Sequence, residues 1–187
     1  DLFTPLLEKV ERLSKKKYGK SDSREDIAMR VIVDHIRAIS LSIADGQIPS
    51  NTGAGYVIRR ILRRAIRFGY TYLGFETPFM YQLVEVLANQ FKEVFPEVIA
   101  QQSYIENVIR EEETSFFKTL SVGVKLFQEK ASNSKNKTLS GKDAFELYDT
   151  YGFPIDLTRL MAREQELEVN EIEFEKELEI QKNRSRQ

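Results

Sequence analysis

Apolar residues recur every three to four positions along most of this chain, which is the pattern of helices that bury one face. The clearest case covers residues 24–44, and Ser23 stands just before it, where a capping side chain is expected. The same spacing predicts helices over residues 3–17, 97–130 and 142–151. No segment alternates apolar and polar residues as a strand would. We therefore predict an all-α fold, a helical domain of about six to eight helices with at most minor β structure.

Glycine and capping residues indicate where other helices begin and end. A helix over residues 55–68 is expected to stop at Gly69, since glycine often follows the last helical turn. Asp156 is expected to cap a short helix, and Asn170 and Glu173 have the spacing of a capping box for the last helix. The chain is thus predicted to consist of helices joined by turns.

The segment 131–138 is rich in Ser, Asn and Lys and is the best candidate for a mobile loop. A chain of 187 residues is long enough to bury one core, so we predict one domain over residues 1–187. In the alternative arrangement, the 131–138 loop joins two lobes, residues 1–130 and 139–187.

Composition excludes several classes of protein. The chain has no cysteine, which rules out disulfides and cysteine-ligated zinc and indicates a reducing compartment, the cytoplasm. It has no apolar run of about 18 residues, and its first residues lack the pattern of a signal peptide, so no membrane partner is expected. It also lacks an initiator methionine, which suggests a piece of a longer protein.

The formal net charge of −1 conceals an asymmetry along the chain. Residues 1–75 contain 14 Lys and Arg against 8 Asp and Glu, whereas residues 76–187 contain 14 against 21. Charge separated in this way indicates a basic face with an anionic partner.

Five arginines lie on one face of the predicted helix over residues 55–68, opposite an apolar face that includes Val57. We call this set the arginine stripe: Arg59, Arg60, Arg63, Arg64 and Arg67. No acidic residue occurs between Asp45 and Glu76, and like charges four positions apart repel by about 0.2–0.5 kcal/mol per pair. Either the fold brings acidic groups to the stripe, or the stripe binds the phosphates of a nucleic acid. We favour the nucleic acid, with the five arginines on its backbone.

Two further polar residues are candidates for recognition. Asn51 lies on the loop over residues 49–55, where its residue type favours a cap or turn over a base reader. Asp149 lies near the end of the helix over residues 142–151, where the helix dipole disfavours a negative charge, and such mismatches lean towards function. His35 is the only histidine and is predicted to be a core residue. No catalytic or metal-binding set is predicted.

Several segments resemble the alanyl-tRNA synthetase family. They follow the order of that family, at residues 34–39, 44–46, 49–51, 55–65, 111–123, 139–141, 147–154 and 181–186. The most specific are GYVIRRILRRA at residues 55–65 and LYDTYGFP at residues 147–154. The resemblance covers nearly the whole chain. It falls on the helical middle domain of the family, which lies between the class II catalytic core and the editing domain.

The resemblance implies that this domain grips the acceptor stem of alanine tRNA and reads its G·U wobble pair. By motif, Asn51 and Asp149 are the residues that read the pair. A carboxylate only accepts hydrogen bonds, while an amide also donates them, which suits a pair that presents donors and acceptors in unusual places. Ala54 departs from the family, in which many members have Arg, and the loss of one phosphate contact is expected to weaken binding.

The resemblance also implies cofactors and partners outside this segment. The parent protein would be an enzyme, a ligase that attaches alanine to its tRNA using ATP and magnesium, and its editing domain would bind zinc. The segment itself is expected to hold none of these cofactors and no catalytic residue. Its expected partners are the acceptor stem and the catalytic and editing domains of the same chain.

Two other functions remain open at the level of sequence. A stand-alone helical nucleic-acid-binding module would bind through the arginine stripe without G·U selectivity. An interaction protein would instead dock the stripe on acidic helices, such as its own Glu-rich segment 164–179. Discrimination between G·U and G·C stems separates acceptor-stem recognition from both alternatives.

Overall fold

The computed structural model describes residues 2–186, and helices dominate them. The elements in order are α1 (Thr4–Ser14), α2 (Arg24–Ala44), α3 (Gly53–Leu73), a 3₁₀ turn (Met80–Leu83), α4 (Val84–Phe91), α5 (Pro96–Ala100), α6 (Gln102–Ser132), β1 (Thr138–Leu139), α7 (Gly141–Asp149), α8 (Ile155–Glu164), β2 (Glu168–Val169) and α9 (Glu171–Arg184). The prediction of an all-α fold with minor β structure is confirmed. The described residues form nine α-helices, more than predicted, partly because the predicted helix over residues 97–130 is two helices. The backbone at Gln101, with φ −108° and ψ 12°, separates α5 from α6.

The chain folds as two compact units, whose boundary in sequence lies between Phe117 and Lys118. The division falls within α6, and residues 131–138 belong to the second unit. The expectation of lobes 1–130 and 139–187, joined by the 131–138 loop, stays a prediction.

The core of the first unit lies between α2 and α3. Ile32, Ile36 and Ile39 of α2, together with Leu62 and Ile66 of α3, are each 1% exposed or less. α1, the 3₁₀ turn, α4 and α5 also contact α2. This periodic burial on α2 and α3 confirms the helical pattern from which both elements were predicted.

The third helix continues past the glycine at which it was predicted to stop. Gly69 lies inside α3, and a Cβ atom built on it would lie 2.4 Å from Cζ of Phe79. That ring stacks on Phe75 with centroids 4.0 Å apart. The helix ends at Leu73, and Gly74 provides the left-handed backbone, with φ 77°, that closes it. The prediction was wrong because Gly69 serves close packing and not helix termination.

Glu113 of α6 satisfies the backbone at the start of the 3₁₀ turn. Its side chain is fully buried, and its carboxylate accepts hydrogen bonds from the N–H groups of Phe79, Met80 and Tyr81 at 2.7, 3.0 and 3.0 Å. Burial raises the pKa of Glu113 to about 7, although the three N–H donors act in the opposite direction. The two oxygens of one carboxylate thus accept three backbone hydrogen bonds that the turn itself leaves unmade.

The second unit is built from the end of α6, the helices α7 to α9 and the two short strands. A Cβ atom on Gly123 of α6 would lie 2.4 Å from Cε1 of Phe153, so glycine is needed for this contact. The strands pair in parallel, with Thr138 opposite Glu168. Asp156 does not cap α8 as predicted, because the helix begins at Ile155, one residue before Asp156, and Pro154 occupies the N-cap position. Its charge still lies in the first turn, where the helix dipole favours it.

Side-chain caps appear at two of the predicted positions. Ser23 Oγ accepts from the Asp26 N–H at 3.2 Å, and α2 has the predicted bounds. Asn170 Oδ1 accepts from the Glu173 N–H at 3.1 Å, which is one half of a capping box. The reciprocal half is absent, since the Asn170 N–H donates to the Leu139 carbonyl at 3.0 Å. The strand pairing therefore takes the donor that the box would have used.

Candidate nucleic-acid interface

The loop before α3 presents Asn51 to solvent. A Cβ atom on Gly55 would lie 2.3 Å from the Ile48 carbonyl oxygen, so the loop approaches the first turn of α3 more closely than any other residue allows. The Ser50 N–H donates to the Gly55 carbonyl at 3.1 Å and closes the loop. Thr52 occupies the N-cap position, and its side chain makes no capping bond. Asn51 therefore does not cap the helix, and its exposed side chain is available for another role.

The Asn51 side chain is held by the first arginine of the stripe. Arg59 Nη1 donates to Asn51 Oδ1 at 2.5 Å. A guanidinium group has no acceptor, so the amide oxygen must face it and the amide N–H₂ must point elsewhere. Asn51 is thus oriented as a hydrogen-bond donor towards solvent.

Glu112 of α6 supplies the negative charge that the stripe lacks in sequence. Its Oε1 accepts from Arg59 Nε at 2.7 Å and from Arg63 Nε at 2.9 Å, and its Oε2 accepts from Arg59 Nη2 at 3.3 Å. Glu112 is only 8% exposed, and the Arg63 guanidinium carbon lies 4.9 Å from the ring centroid of Phe116. Burial lowers the pKa of the Arg63 guanidinium, against the opposing effect of the neighbouring Glu112. At this end of the stripe, the fold itself brings in an acidic group.

The arginine stripe is not an open row of charges. Arg63 and Arg67 are 9% and 4% exposed, while Arg60 and Arg64 are half-buried. Arg67 lies over the Tyr72 ring, with 5.3 Å to the centroid. Val57, which was expected on the buried face, is instead 47% exposed. The assignment of Val57 to the core was wrong because the buried sector of α3 includes the side that contacts Glu112 and Phe116, which the helical period alone does not indicate.

Asp149 is the last residue of α7 and is exposed. Gln181 of α9 donates from Nε2 to Asp149 Oδ1. This bond partly offsets the unfavourable position of a carboxylate at a helix C-terminus, and it occupies one of the two carboxylate oxygens. The other carboxylate oxygen keeps its capacity to accept a hydrogen bond.

The two candidate readers belong to different units. Asn51 and the arginine stripe lie in the first unit, and Asp149 lies in the second. Sequence reasoning missed Glu112, which pairs with Arg59 and Arg63, and Gln181, which donates to Asp149. A signal for Glu112 was present, because it follows Ile109 by three positions and precedes Phe116 by four. A glutamate at such a core position needs a cation or hydrogen-bond donors, and the arginine stripe supplies them.

Other candidate chemistry is sparse in the part of the chain that the structure describes. His35 is half-buried, its Nδ1 lies 3.2 Å from Asp34 Oδ2, and burial lowers its pKa. Among residues 2–186, no three His, Cys, Asp or Glu side chains group as metal ligands do. Within the same residues, each helix is too short or too polar to traverse the hydrocarbon interior of a bilayer.

Comparison with known proteins identifies the family. The chain matches the family described as tRNA synthetases class II (A) over residues 1–187. It is 57% identical over 187 residues to an alanine–tRNA ligase of Christiangramia forsetii, 54% over 194 residues to one of Flavobacterium psychrophilum, and 53% over 189 residues to one of Bacteroides fragilis. Each match covers 100% of this chain and 21%, 22% and 22% of the relative, so the chain spans about a fifth of the length of these curated relatives. The chain belongs to the class II tRNA synthetases.

Proposed function

We propose that this chain is the tRNA-recognition segment of an alanine–tRNA ligase and that it reads the G·U wobble pair of the acceptor stem. The relatives named as alanine–tRNA ligases align with all of its residues, which supports the ligase assignment. The observation that supports the reading role most directly is the orientation of the Asn51 side-chain amide. This exposed amide has its oxygen engaged by Arg59, which leaves its two N–H donors for a base edge.

The proposed readers differ in what they offer to the pair. A wobble pair leaves the guanine 2-amino group without a partner in the minor groove, which is wide and accessible in A-form RNA. Asp149 keeps one carboxylate oxygen that can accept from an amino group, while Asn51 can donate to a base carbonyl. One acceptor and one donor at fixed positions in the protein favour a wobble pair, because its amino and carbonyl groups lie at different positions from those of a Watson–Crick pair.

The arginine stripe would act on the backbone of the stem. Its buried members, Arg63 and Arg67, contribute to the local potential. Arg59, Arg60 and Arg64 are less buried and are the members proposed to contact phosphate oxygens. Phosphate contacts of this kind give affinity and orientation but no discrimination between base pairs. The proposal therefore separates affinity, assigned to the stripe, from selectivity, assigned to the two readers.

The other components of the reaction would lie in the rest of the ligase. As the family resemblance implies, we assign ATP and magnesium to the catalytic domain and zinc to the editing domain of the same chain. We propose those domains and the acceptor stem as the partners of this chain, and the cytoplasm as its location. Within this proposal, the described residues bind and orient the stem, and the chemical steps belong elsewhere.

The proposal is tested by measuring how the intact ligase binds labelled acceptor-stem minihelices with G·U or G·C at the wobble position. We expect a preference for G·U of about 1–3 kcal/mol, the range for one base-pair readout. Asn51→Ala should reduce this preference while leaving most of the salt-dependent affinity. Thr52→Ala is the matched control, since Thr52 is exposed and its side chain makes no capping bond. Equal binding of both stems by the unmutated ligase would contradict the reading role and leave a backbone clamp.

A further inference from the structure

Glu112 holds Arg59 through two separate bonds. Arg59 Nε lies 2.7 Å from Glu112 Oε1, and Arg59 Nη2 lies 3.3 Å from Glu112 Oε2. A bidentate pair of this kind fixes the plane of the guanidinium group as well as its position. The third nitrogen, Nη1, is then directed at Asn51 Oδ1, 2.5 Å away. The orientation of the exposed amide thus depends on a carboxylate that does not touch it.

The Glu112 carboxylate, on which the positions of Arg59 and Asn51 depend, is itself immobilised. Glu112 is 8% exposed, lies within the long helix α6, and also accepts from Arg63 Nε at 2.9 Å. Arg63 is in turn packed over Phe116, four residues further along the same helix. Buried and hydrogen-bonded on both oxygens, Glu112 has little freedom to change rotamer. It is a rigid support for a side chain at the surface.

We infer that Glu112 is a positioning residue for base recognition: through Arg59 it fixes the Asn51 amide with its N–H₂ group presented to the acceptor stem. The inference rests on the proposed function, because it assigns the orientation of a reader. Without Glu112, Arg59 is free to turn towards phosphate oxygens, and the Asn51 amide loses the contact that distinguishes its two ends. Selectivity for the G·U pair then falls, although positive charge near the stem increases.

Two neighbouring glutamates, Glu111 and Glu112, allow a positioning role of Glu112 to be distinguished from a purely structural one. Glu112→Gln removes one negative charge from α6 and weakens the bidentate hold on Arg59. Glu111→Gln removes the same charge from the same helix, but Glu111 is exposed and serves as the matched control. In the intact ligase, we expect Glu112→Gln to reduce the ratio of G·C to G·U dissociation constants about tenfold. Glu111→Gln should leave this ratio unchanged, and neither variant should weaken binding to the G·C stem.

A double mutant decides whether Glu112 acts through Asn51. If it does, adding Glu112→Gln to Asn51→Ala causes no further loss of selectivity. A second, undiminished loss in the double mutant would overturn the inference, as would unchanged selectivity in Glu112→Gln alone. Thermal unfolding of each variant tests whether it is folded. If Glu112→Gln is not, Arg59→Lys takes its place, since one ammonium group cannot bridge the carboxylate and the amide in the same way.

The same measurements distinguish failure of this inference from failure of the proposed function. If the unmutated ligase does not prefer G·U, or if Asn51→Ala keeps the full preference, the reading role of Asn51 is wrong. Glu112 would then have no base-reading residue to position. If Asn51→Ala removes the preference but Glu112→Gln and Arg59→Lys keep it, the reading role stands and the positioning role of Glu112 is wrong.

Discussion

At the scale of single residues, both candidate readers have one polar atom engaged inside the protein and one available. Arg59 occupies Oδ1 of Asn51, and Gln181 occupies Oδ1 of Asp149. Such half-satisfied side chains are exposed, so the remaining atom bonds water without cost until a ligand replaces it. Replacing the available atom alone is therefore a more specific test than truncating the side chain.

Asp149→Asn changes that one atom. The variant keeps an amide oxygen for Gln181 but converts the other carboxylate oxygen into a donor. We expect loss of most of the G·U preference in minihelix binding, because a donor cannot accept from the guanine amino group. Stability should stay equal or rise slightly, since a negative charge leaves the C-terminus of α7.

Opposite signs for selectivity and stability distinguish this prediction from general damage. Glu146→Gln is the control for the charge, because Glu146 is exposed on the same helix. It should bind both stems as the unmutated ligase does. Retained selectivity in Asp149→Asn would remove Asp149 from the proposed readers.

At the scale of elements, α6 uses two adjacent glutamates for different purposes. Glu112 pairs with arginine side chains of α3, and Glu113 accepts three backbone N–H groups at the 3₁₀ turn. Both are buried, and both join segments distant in sequence. Through these two adjacent glutamates, α6 contacts both the arginine stripe and the start of the 3₁₀ turn.

Glu113→Gln tests the backbone role. A glutamine offers one accepting oxygen and one N–H₂ donor, so at least one buried N–H group loses its partner. We expect the free energy of unfolding to fall by about 1–3 kcal/mol, measured by urea denaturation of the chain over residues 1–187. Glu111→Gln, exposed on the same helix, should change it little.

The pH dependence of stability follows from the same residue. Burial raises the pKa of Glu113 from 4.5 to about 7. Between these values the folded state binds more protons than the unfolded state, so this group stabilises the fold at low pH and the contribution is lost as the pH rises through about 7. The difference in unfolding free energy between the unmutated chain and Glu113→Gln should therefore shrink from about pH 5 to about pH 7.5. A difference that grows over this range would indicate that the three N–H donors outweigh burial.

At the scale of the whole molecule, the charge asymmetry sets how the chain meets a polyanion. The excess of positive charge lies in residues 1–75, which belong to the first unit, while residues 76–187 carry the acidic excess. Pairing with Glu112 removes part of the positive potential from the stripe. The net field available to phosphates is therefore smaller than five arginines suggest, and added charge near the start of α3 should have a measurable effect.

Ala54→Arg adds one charge at an exposed position in the first turn of α3. We expect the salt dependence of minihelix binding by the intact ligase to steepen by about 0.7–0.9 in the logarithmic slope, as for one more phosphate contact. The ratio between G·U and G·C stems should stay the same, because a phosphate contact carries no base information. Ala54→Gln, similar in length without the charge, should leave the slope unchanged. A change in the stem ratio would show that this position contributes to reading.

Local features of the fold were predictable from sequence. The bounds of α2 and its Ser23 cap were predicted because helical periodicity and capping depend on residues a few positions apart. The family resemblance, likewise carried by contiguous motifs, is confirmed over the whole chain. Gly69 shows the limit of this reasoning, since the same residue type that ends helices also admits a ring, here that of Phe79.

The sequence by itself determined that the chain is helical, that it carries five arginines at helical spacing, and that its motifs are those of class II tRNA synthetases. Only the tertiary structure decided what those arginines contact. Glu112 lies 53 positions from Arg59 and 49 from Arg63, and no local pattern connects them. A buried carboxylate needs a cation or several hydrogen-bond donors, and the packing of α3 against α6 decides that Glu112 meets arginines. The same packing determined which end of the Asn51 amide faces solvent.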